Sequence, residues 1–264
     1  MISLARHIVL LLGLCLLASA PAQAATEREL GGAFVDQFDR LDPERWFVSH
    51  GWRNGAHQGC DWSKNTVTTG GGRLFMRLET NEAKPTGVSC SEIQTHAFYH
   101  HGLYEARIKA AAGSGLNSAF FTYTGPSFGD PHDEIDFEFL GKASRRVQLN
   151  YYVDGIGDHE MLARLPRRMN DGFTVVSFLW LPGRIEWYID GRLTHQVREG
   201  LMPEAPGKIY FSIWNGTEML DGWLGPYKPV TNPKTMVVDW VAFTPVGDDC
   251  QIADSIACEP GFRW

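Results

Sequence analysis

The chain has 264 residues, with 31 acidic against 24 basic side chains and a formal net charge of −7. That balance argues against nucleic acid or an anionic membrane surface as partner, while a neutral polymer would be indifferent to it. Nine Trp, eight Tyr and fifteen Phe are a heavy aromatic load, most of which must be core.

A basic start at Met1 to Arg6, an apolar run from Ile8 to Leu17 and the close Ala-Ser-Ala-Pro-Ala-Gln-Ala read as a secretory signal peptide over residues 1–24. The apolar run is shorter than the ~20 residues that span a bilayer. Cys15 follows Leu14 rather than the small residue of a lipid-anchoring signal, so free secretion, extracellular or periplasmic, is expected. No later segment is long and apolar enough to cross a membrane. Loss of the leader removes Arg6 and no acid, moving the net charge from −7 to −8. About 240 residues remain, enough for one well-buried domain (25–246) followed by a tail (247–264). A monomer is expected.

After the leader, short apolar, aromatic and β-branched stretches recur between Gly, Pro, Asn and Asp. In chain order the strand candidates are Arg73–Leu78, Gly102–Lys109, Ser118–Tyr123, Glu134–Phe139 and Val147–Val153. Thr174–Leu181, Arg184–Ile189, Ile209–Trp214 and Val237–Phe243 follow. Pro182-Gly183 reads as a hairpin turn and Asp190-Gly191 as the end of the next strand. Such punctuation predicts an all-β antiparallel sandwich, of the jelly-roll kind, rather than an α/β fold.

Without the leader's Cys15, Cys60, Cys90, Cys250 and Cys258 remain, an even number suited to an oxidising compartment. Three pairings are open, and nearness in sequence favours Cys60–Cys90 and Cys250–Cys258, the second stapling the tail. No CxxC or clustered Cys/His spacing suggests zinc.

The run Asp133-Glu134-Ile135-Asp136-Phe137-Glu138-Phe139 carries the chemistry. Its period of two puts Glu134, Asp136 and Glu138 on one face of a strand and Ile135, Phe137 and Phe139 on the other. Crowded like charges repel, and fold stability gives no reason to assemble them. Paired carboxyls in unequal environments are the working parts of sugar-bond hydrolysis, whereas the plainer alternative is a solvated strand face. Trp52 near Asn54, Trp214 before Asn215-Gly216 and Trp223 after Asp221-Gly222 sit among polar residues and suit stacking on sugar rings.

With these motifs in view, His132-Asp133-Glu134-Ile135-Asp136-Phe137-Glu138-Phe139-Leu140-Gly141 resembles the signature of glycoside hydrolase family 16, nearest to the bacterial endo-β-1,3-1,4-glucanases (lichenases). The resemblance extends over roughly Asp36 to Thr244. It includes Gly102-Leu103-Tyr104-Glu105, Trp187-Tyr188-Ile189-Asp190-Gly191, Trp214-Asn215-Gly216-Thr217 and Asp239-Trp240-Val241. It implies a jelly roll with an open cleft for a β-glucan, Glu134 as nucleophile, Glu138 as general acid/base and Asp136 as helper between them. Four residues of strand separate the two α-carbons by ~13 Å, so curvature and leaning side chains must bring the carboxyls to the ~5–5.5 Å of a retaining pair.

The same resemblance implies that Trp52, Asn54, Glu92, Phe121, Tyr123, Asn150, Tyr152, Trp214 and Trp223 line sugar subsites. It supports a Cys60–Cys90 disulfide and suggests a structural calcium ion near Asp239, with no cofactor for catalysis. His132 stands where lichenases usually have Trp, and Gln94 where they have Arg, so subsite preference is expected to differ while reaction type survives. The pairing of His-Asp-Glu-Ile-Asp-Phe-Glu with Glu-Ile-Gln-Thr is similar to secreted rhizobial endoglycanases that trim succinoglycan. The implied substrate is a mixed β-1,3/β-1,4-glucan or a related exopolysaccharide. A lectin-like glucan-binding module is the rival from another class, and a transglycosylase the rival within the family.

Overall fold

The computed structural model describes residue 28 and residues 30–264, so the leader expected over residues 1–24 lies outside the described residues. In chain order the strands begin with β1 (Phe34–Asp36), β2 (Trp46–Val48), β3 (Asp61–Trp62), β4 (Val67–Thr69) and β5 (Leu74–Thr80). They continue with β6 (Val88–Thr95), β7 (Gly102–Lys109), β8 (Leu116–Thr124), β9 (Asp133–Leu140) and β10 (Arg146–Tyr152). The remainder are β11 (Met161–Arg164), β12 (Thr174–Leu181), β13 (Arg184–Ile189), β14 (Arg192–Val197), β15 (Lys208–Asn215) and β16 (Lys234–Pro245). A single short α-helix, α1 (Asp221–Leu224), precedes β16 among the described residues, beside four one-turn 3-10 helices. None of the described helices is long and apolar enough to cross a membrane.

Two sheets face each other. One runs β2-β6-β15-β8-β9-β10-β11 and carries the cleft. The outer sheet runs β4-β5-β16-β7-β12-β13-β14, with β1 added beside β16. Strands distant in sequence lie side by side, β6 with β15 and β7 with β16, which is the jelly-roll pattern. Every strand pairing is antiparallel except that of β3 with β6.

The hydrophobic alternation of each strand fills the space between the sheets. Ile135, Phe137 and Phe139 of β9 point inward and are 0–1% exposed. The Phe120 ring stacks on Phe211 at 5.0 Å and meets Phe178 of the outer sheet at 5.6 Å. Each such side chain contributes about 1.5–3 kcal/mol of burial. Trp187 Nε1 donates to the Asp136 carbonyl at 3.2 Å, so a tryptophan of the outer sheet pins the backbone of the acidic strand from behind.

The hairpin turns form where the sequence punctuates. Pro182-Gly183 joins β12 to β13 with Gly183 at φ 69°, the type II pattern. Asp190 and Gly191 join β13 to β14 with φ of 45° and 72°, the double positive φ of a type I′ turn. All nine expected strands are present, β7, β12 and β13 with the expected ends and the other six with ends shifted. The longest strand absent from that set is β6, which reads Val-Ser-Cys-Ser-Glu-Ile-Gln-Thr. Its polar residues occupy both faces, so it has no period-two signal. The inward hydroxyl of Ser91 is satisfied by accepting from the Arg77 N–H at 3.0 Å and donating to the Arg77 carbonyl at 2.8 Å.

Both disulfides, Cys60–Cys90 and Cys250–Cys258, are formed. The first ties the loop before β3 to β6. Gln58 locks that loop further, donating to the Cys60 carbonyl at 3.0 Å while accepting from the Asn54 N–H at 3.0 Å. The tail lies on the solvent side of the outer sheet, where Ile256 packs with Leu103, Leu179 and Leu181. Glu105, fully buried beneath it, accepts from Ser177 Oγ and from the Ile256 N–H, both at 3.1 Å. Burial pushes the Glu105 carboxyl above its ordinary range.

Candidate active site

Strand register arranges the cleft face as three rows. One row reads Glu92, Ser212, Ala119, Glu138, Gln148 across β6, β15, β8, β9 and β10. The next reads Phe47, Gln94, Tyr210, Phe121, Asp136, Asn150, beginning on β2. The third reads Lys208, Tyr123, Glu134, Tyr152. Together with the loops at either end these rows border a cleft of about 1070 Å³. Between Glu138 and Glu92 the row holds only Ala119 and Ser212, so the floor is lowest there and leaves room for a ring.

The three carboxyls of β9 sit in three different environments. Glu138 accepts from Asn117 Nδ2 at 2.9 Å and from Gln148 Nε2 at 3.1 Å, and Trp223 Nε1 holds the Gln148 carbonyl at 3.1 Å. Burial first and the charge of Glu134 second raise its pKa to about 8, against the pull of the two amide donors. Asp136, 2% exposed between the two glutamates, is pushed well above its ordinary value by burial, by both neighbouring charges and by a hydrogen bond with Glu134. Glu134 Oε2 lies 2.6 Å from His132 Nε2.

A fourth acid, Glu92, is 5% exposed and accepts from Ser49 Oγ at 2.6 Å. Burial raises its pKa to about 7, with a further push from Glu134. Gln94, two residues on, carries no charge to oppose this and instead accepts from Tyr210 OH at 2.9 Å.

Trp52, Asn54, Glu92, Gln94, Phe121, Tyr123, His132, Tyr152, Trp214 and Trp223 all border the cleft. Asn150 stands on the same face opposite Asp136, 1% exposed and with both amide atoms unpartnered. The sequence reading missed Phe47, whose ring stacks on Trp52 at 6.0 Å and extends the aromatic platform. It also missed Asn117 and Gln148, the donors to Glu138. Lys208 brings a cation into the same cleft, lying over the Phe128 and Phe98 rings at 4.8 and 5.2 Å. Period-two alternation marks all four as facing residues, but only register shows what they face.

The calcium ion expected at Asp239 does not fit. Asp239 falls at a bulge, where the β16–β7 register jumps from Val238 opposite Ile108 to Trp240 opposite Arg107. Its carboxylate is taken by two guanidinium groups: Arg73 Nε donates to Oδ1 at 2.8 Å and Arg107 Nη1 to Oδ2. Both cations also lie over the Phe173 ring, at 5.2 and 4.7 Å. These donors hold the Asp239 carboxyl below its usual range. A chelator should therefore shift the melting temperature by less than about 1 °C, because the Asp239 carboxylate is already held by two guanidinium groups. A drop of several degrees that added calcium reverses would show that the ion displaces the arginines.

The family model for glycosyl hydrolases family 16 matches residues 54–242. The chain is 49% identical over 228 residues to the endo-1,3-1,4-beta-glycanase ExoK of Rhizobium meliloti, covering 86% of this chain and 84% of that protein. It is 40% identical to the beta-glucanase of Bacillus subtilis, covering 90% of this chain and 98% of that one. Among solved structures, the Bacillus licheniformis beta-glucanase superposes with a TM-score of 0.78 at 37% identity, covering 82% of this chain and 99% of that one. The fold, the carboxyl-bearing strand and these matches agree, and the chain belongs to glycosyl hydrolase family 16.

Proposed function

We propose that this protein is a secreted endo-β-glycanase that cuts mixed β-1,3/β-1,4-glucan or a related exopolysaccharide with retention of configuration. The observation that carries the reading is the division of the β9 carboxyls. Glu138 is protonated up to about pH 8, while Glu134 carries the negative charge that contributes to this rise. Ionised Glu134 attacks the anomeric carbon as the glycosidic C–O bond breaks, and the departing oxygen takes the Glu138 proton. Asp136, held protonated, donates toward Glu134 and shares its charge. Esterification of Glu134 removes the charge that helped keep Glu138 acidic. Glu138 then takes a proton from water as its oxygen attacks the same carbon and the ester bond to Glu134 breaks.

The lowered floor at Ala119 and Ser212 and the aromatic rings along the cleft suit a polymer lying across the strands. The names of the relatives support a β-1,3/β-1,4 backbone as the substrate. Secretion is supported by the leader pattern and by the two disulfides, which persist in oxidising compartments. Mass spectrometry of products from barley β-glucan, lichenan, laminarin, carboxymethyl cellulose and succinoglycan tests the substrate. Mid-chain cutting of lichenan, barley β-glucan or succinoglycan is expected. Rapid cutting of laminarin with no action on those three would overturn the proposal.

A further inference from the structure

We propose that His132 is a positioning residue for Glu134 that sets how fast the glycosyl-enzyme breaks down, a role that rests on Glu134 being the nucleophile. Three observations converge on it. His132 Nε2 and Glu134 Oε2 are 2.6 Å apart, and an ionised carboxylate only accepts, so the imidazole proton on this bond belongs to Nε2. The ring is held on two sides, stacked on Tyr152 at 4.9 Å and 13° and met edge-on by Tyr123 at 5.0 Å.

The backbone on which the ring stands is also tied down. The His132 carbonyl accepts from the Gly155 N–H at 2.9 Å. The next residue, Asp133, is 6% exposed and accepts from the Glu204 and Ala205 N–H groups at 2.8 and 3.0 Å and from Asp154 N–H at 3.3 Å. A side chain that served only to face a sugar would not need its ring nitrogen committed to the nucleophile.

The direction of the effect follows from where charge sits. Glu134 carries a full negative charge in the free enzyme, a partial one in each transition state and none in the glycosyl-enzyme. A fixed donor on Oε2 therefore stabilises the free enzyme more than the first transition state, and the second transition state more than the intermediate. It slows attack slightly and speeds release, because in the second step the carboxylate is the leaving group. With Oε2 held by the ring, Oε1 is the oxygen left to meet the anomeric carbon.

The test uses a dinitrophenyl β-glycoside of a mixed-linkage oligosaccharide, whose departure needs no acid, and three variants of the full chain. His132→Phe keeps a flat ring between the tyrosines and deletes the donor. His132→Gln returns an N–H near the Nε2 position, and His132→Asn is one methylene too short. In the Phe variant kcat should fall about 10- to 100-fold, the worth of a hydrogen bond to a charged group. KM should fall with it, kcat/KM should stay within about 3-fold, and a burst of dinitrophenolate near one equivalent should appear as the intermediate accumulates. The Gln variant should recover kcat to within about 5-fold of the parent.

A Phe variant that matches the parent in kcat and burst would overturn the role. So would a loss carried in kcat/KM that Gln does not rescue, since that pattern belongs to a substrate contact or a packing element. If the Phe variant does not fold, Gln against Asn carries the test, and equal kcat for the two overturns it. A 2-deoxy-2-fluoro glycoside with peptide mapping separates this inference from the one beneath it. Label on Glu134 with no effect of the His132 variants sinks only the positioning role, whereas label on another carboxylate sinks both.

Discussion

Glu134→Ala should lose activity on glucan by about 10⁴-fold or more, and added azide should restore turnover as a glycosyl azide of α configuration. The small anion fits the space left by the carboxylate and attacks from the same face, inverting a β-linked substrate. Glu138→Ala should behave in the opposite sense with an activated aryl glycoside. There the glycosyl-enzyme still forms, azide enters from the vacated acid/base side, and the product is the β-glycosyl azide. The two anomers, read by proton NMR, assign the two glutamates without relying on rates. The parent should release β-anomeric sugar first, as a retaining enzyme does. The same anomer from both variants, or α-sugar as first product of the parent, would exclude the double displacement. Inversion would then follow, with Glu138 still the acid and Glu134 activating water instead of attacking.

The second large effect is on pH and concerns Glu138 twice. Catalysis needs its proton, so kcat/KM should hold up to about pH 8 and fall about tenfold per pH unit beyond it. Asn117 and Gln148 both donate to the ionised form and so hold the pKa down, which means that Gln148→Leu should carry this limb to higher pH. Stability has the matching sign. The unfolded chain gives up the Glu138 proton near 4.5 and the folded chain near 8. The contribution of this group to stability is therefore complete below 4.5 and is lost as pH rises through 8.

Glu138→Gln escapes that loss. At pH 8 it should melt about 5 °C or more above the parent, and near pH 4 the difference should vanish. Calorimetry at the two pH values reads it directly. Equal melting at pH 8 would mean that Glu138 is not held neutral by the fold. Glu92, raised to about 7 by burial, adds to the same trend, and so do Asp136 and Glu105. The fold should accordingly be most tolerant of acid and lose stability toward alkaline pH, the reverse of a protein held by ordinary ion-paired carboxylates.

How much of this was legible in the chain differs from strand to strand. β9 could be read because its two faces differ so sharply, acids at 134, 136 and 138 against Ile135, Phe137 and Phe139. β12 and β13 were legible from Pro182-Gly183 between them. β6 was not, although it carries Glu92, Gln94 and Cys90, because it is buried on both faces by polar groups and hydropathy has no contrast to show. The tryptophans divided as their neighbours suggested. Trp46, Trp180, Trp187 and Trp240 are buried in the sandwich or at its margins, Trp52, Trp214 and Trp223 border the cleft, and the buried Trp62 reaches its edge as well. Resemblance carried residue roles that periodicity could not, though it did not foresee the two arginines on Asp239.

The sequence by itself determined which side chains share a face, since a strand of period two leaves no freedom in that, and which residues could turn the chain between strands. The fold class and the acidic row follow from such local rules, whereas the cysteines left three pairings open and the fold formed Cys60–Cys90 and Cys250–Cys258. Only the tertiary structure decided which faces meet, because antiparallel register between strands far apart in the chain is settled by how both sheets pack their cores. Register put Asn117 and Gln148 against Glu138, opened the floor at Ala119 and Ser212, and set two arginines on Asp239. Burial, a property of the whole sandwich and of no single segment, then pushed up the carboxyls of Asp136 and Glu138 and set them apart from Glu134 beside His132.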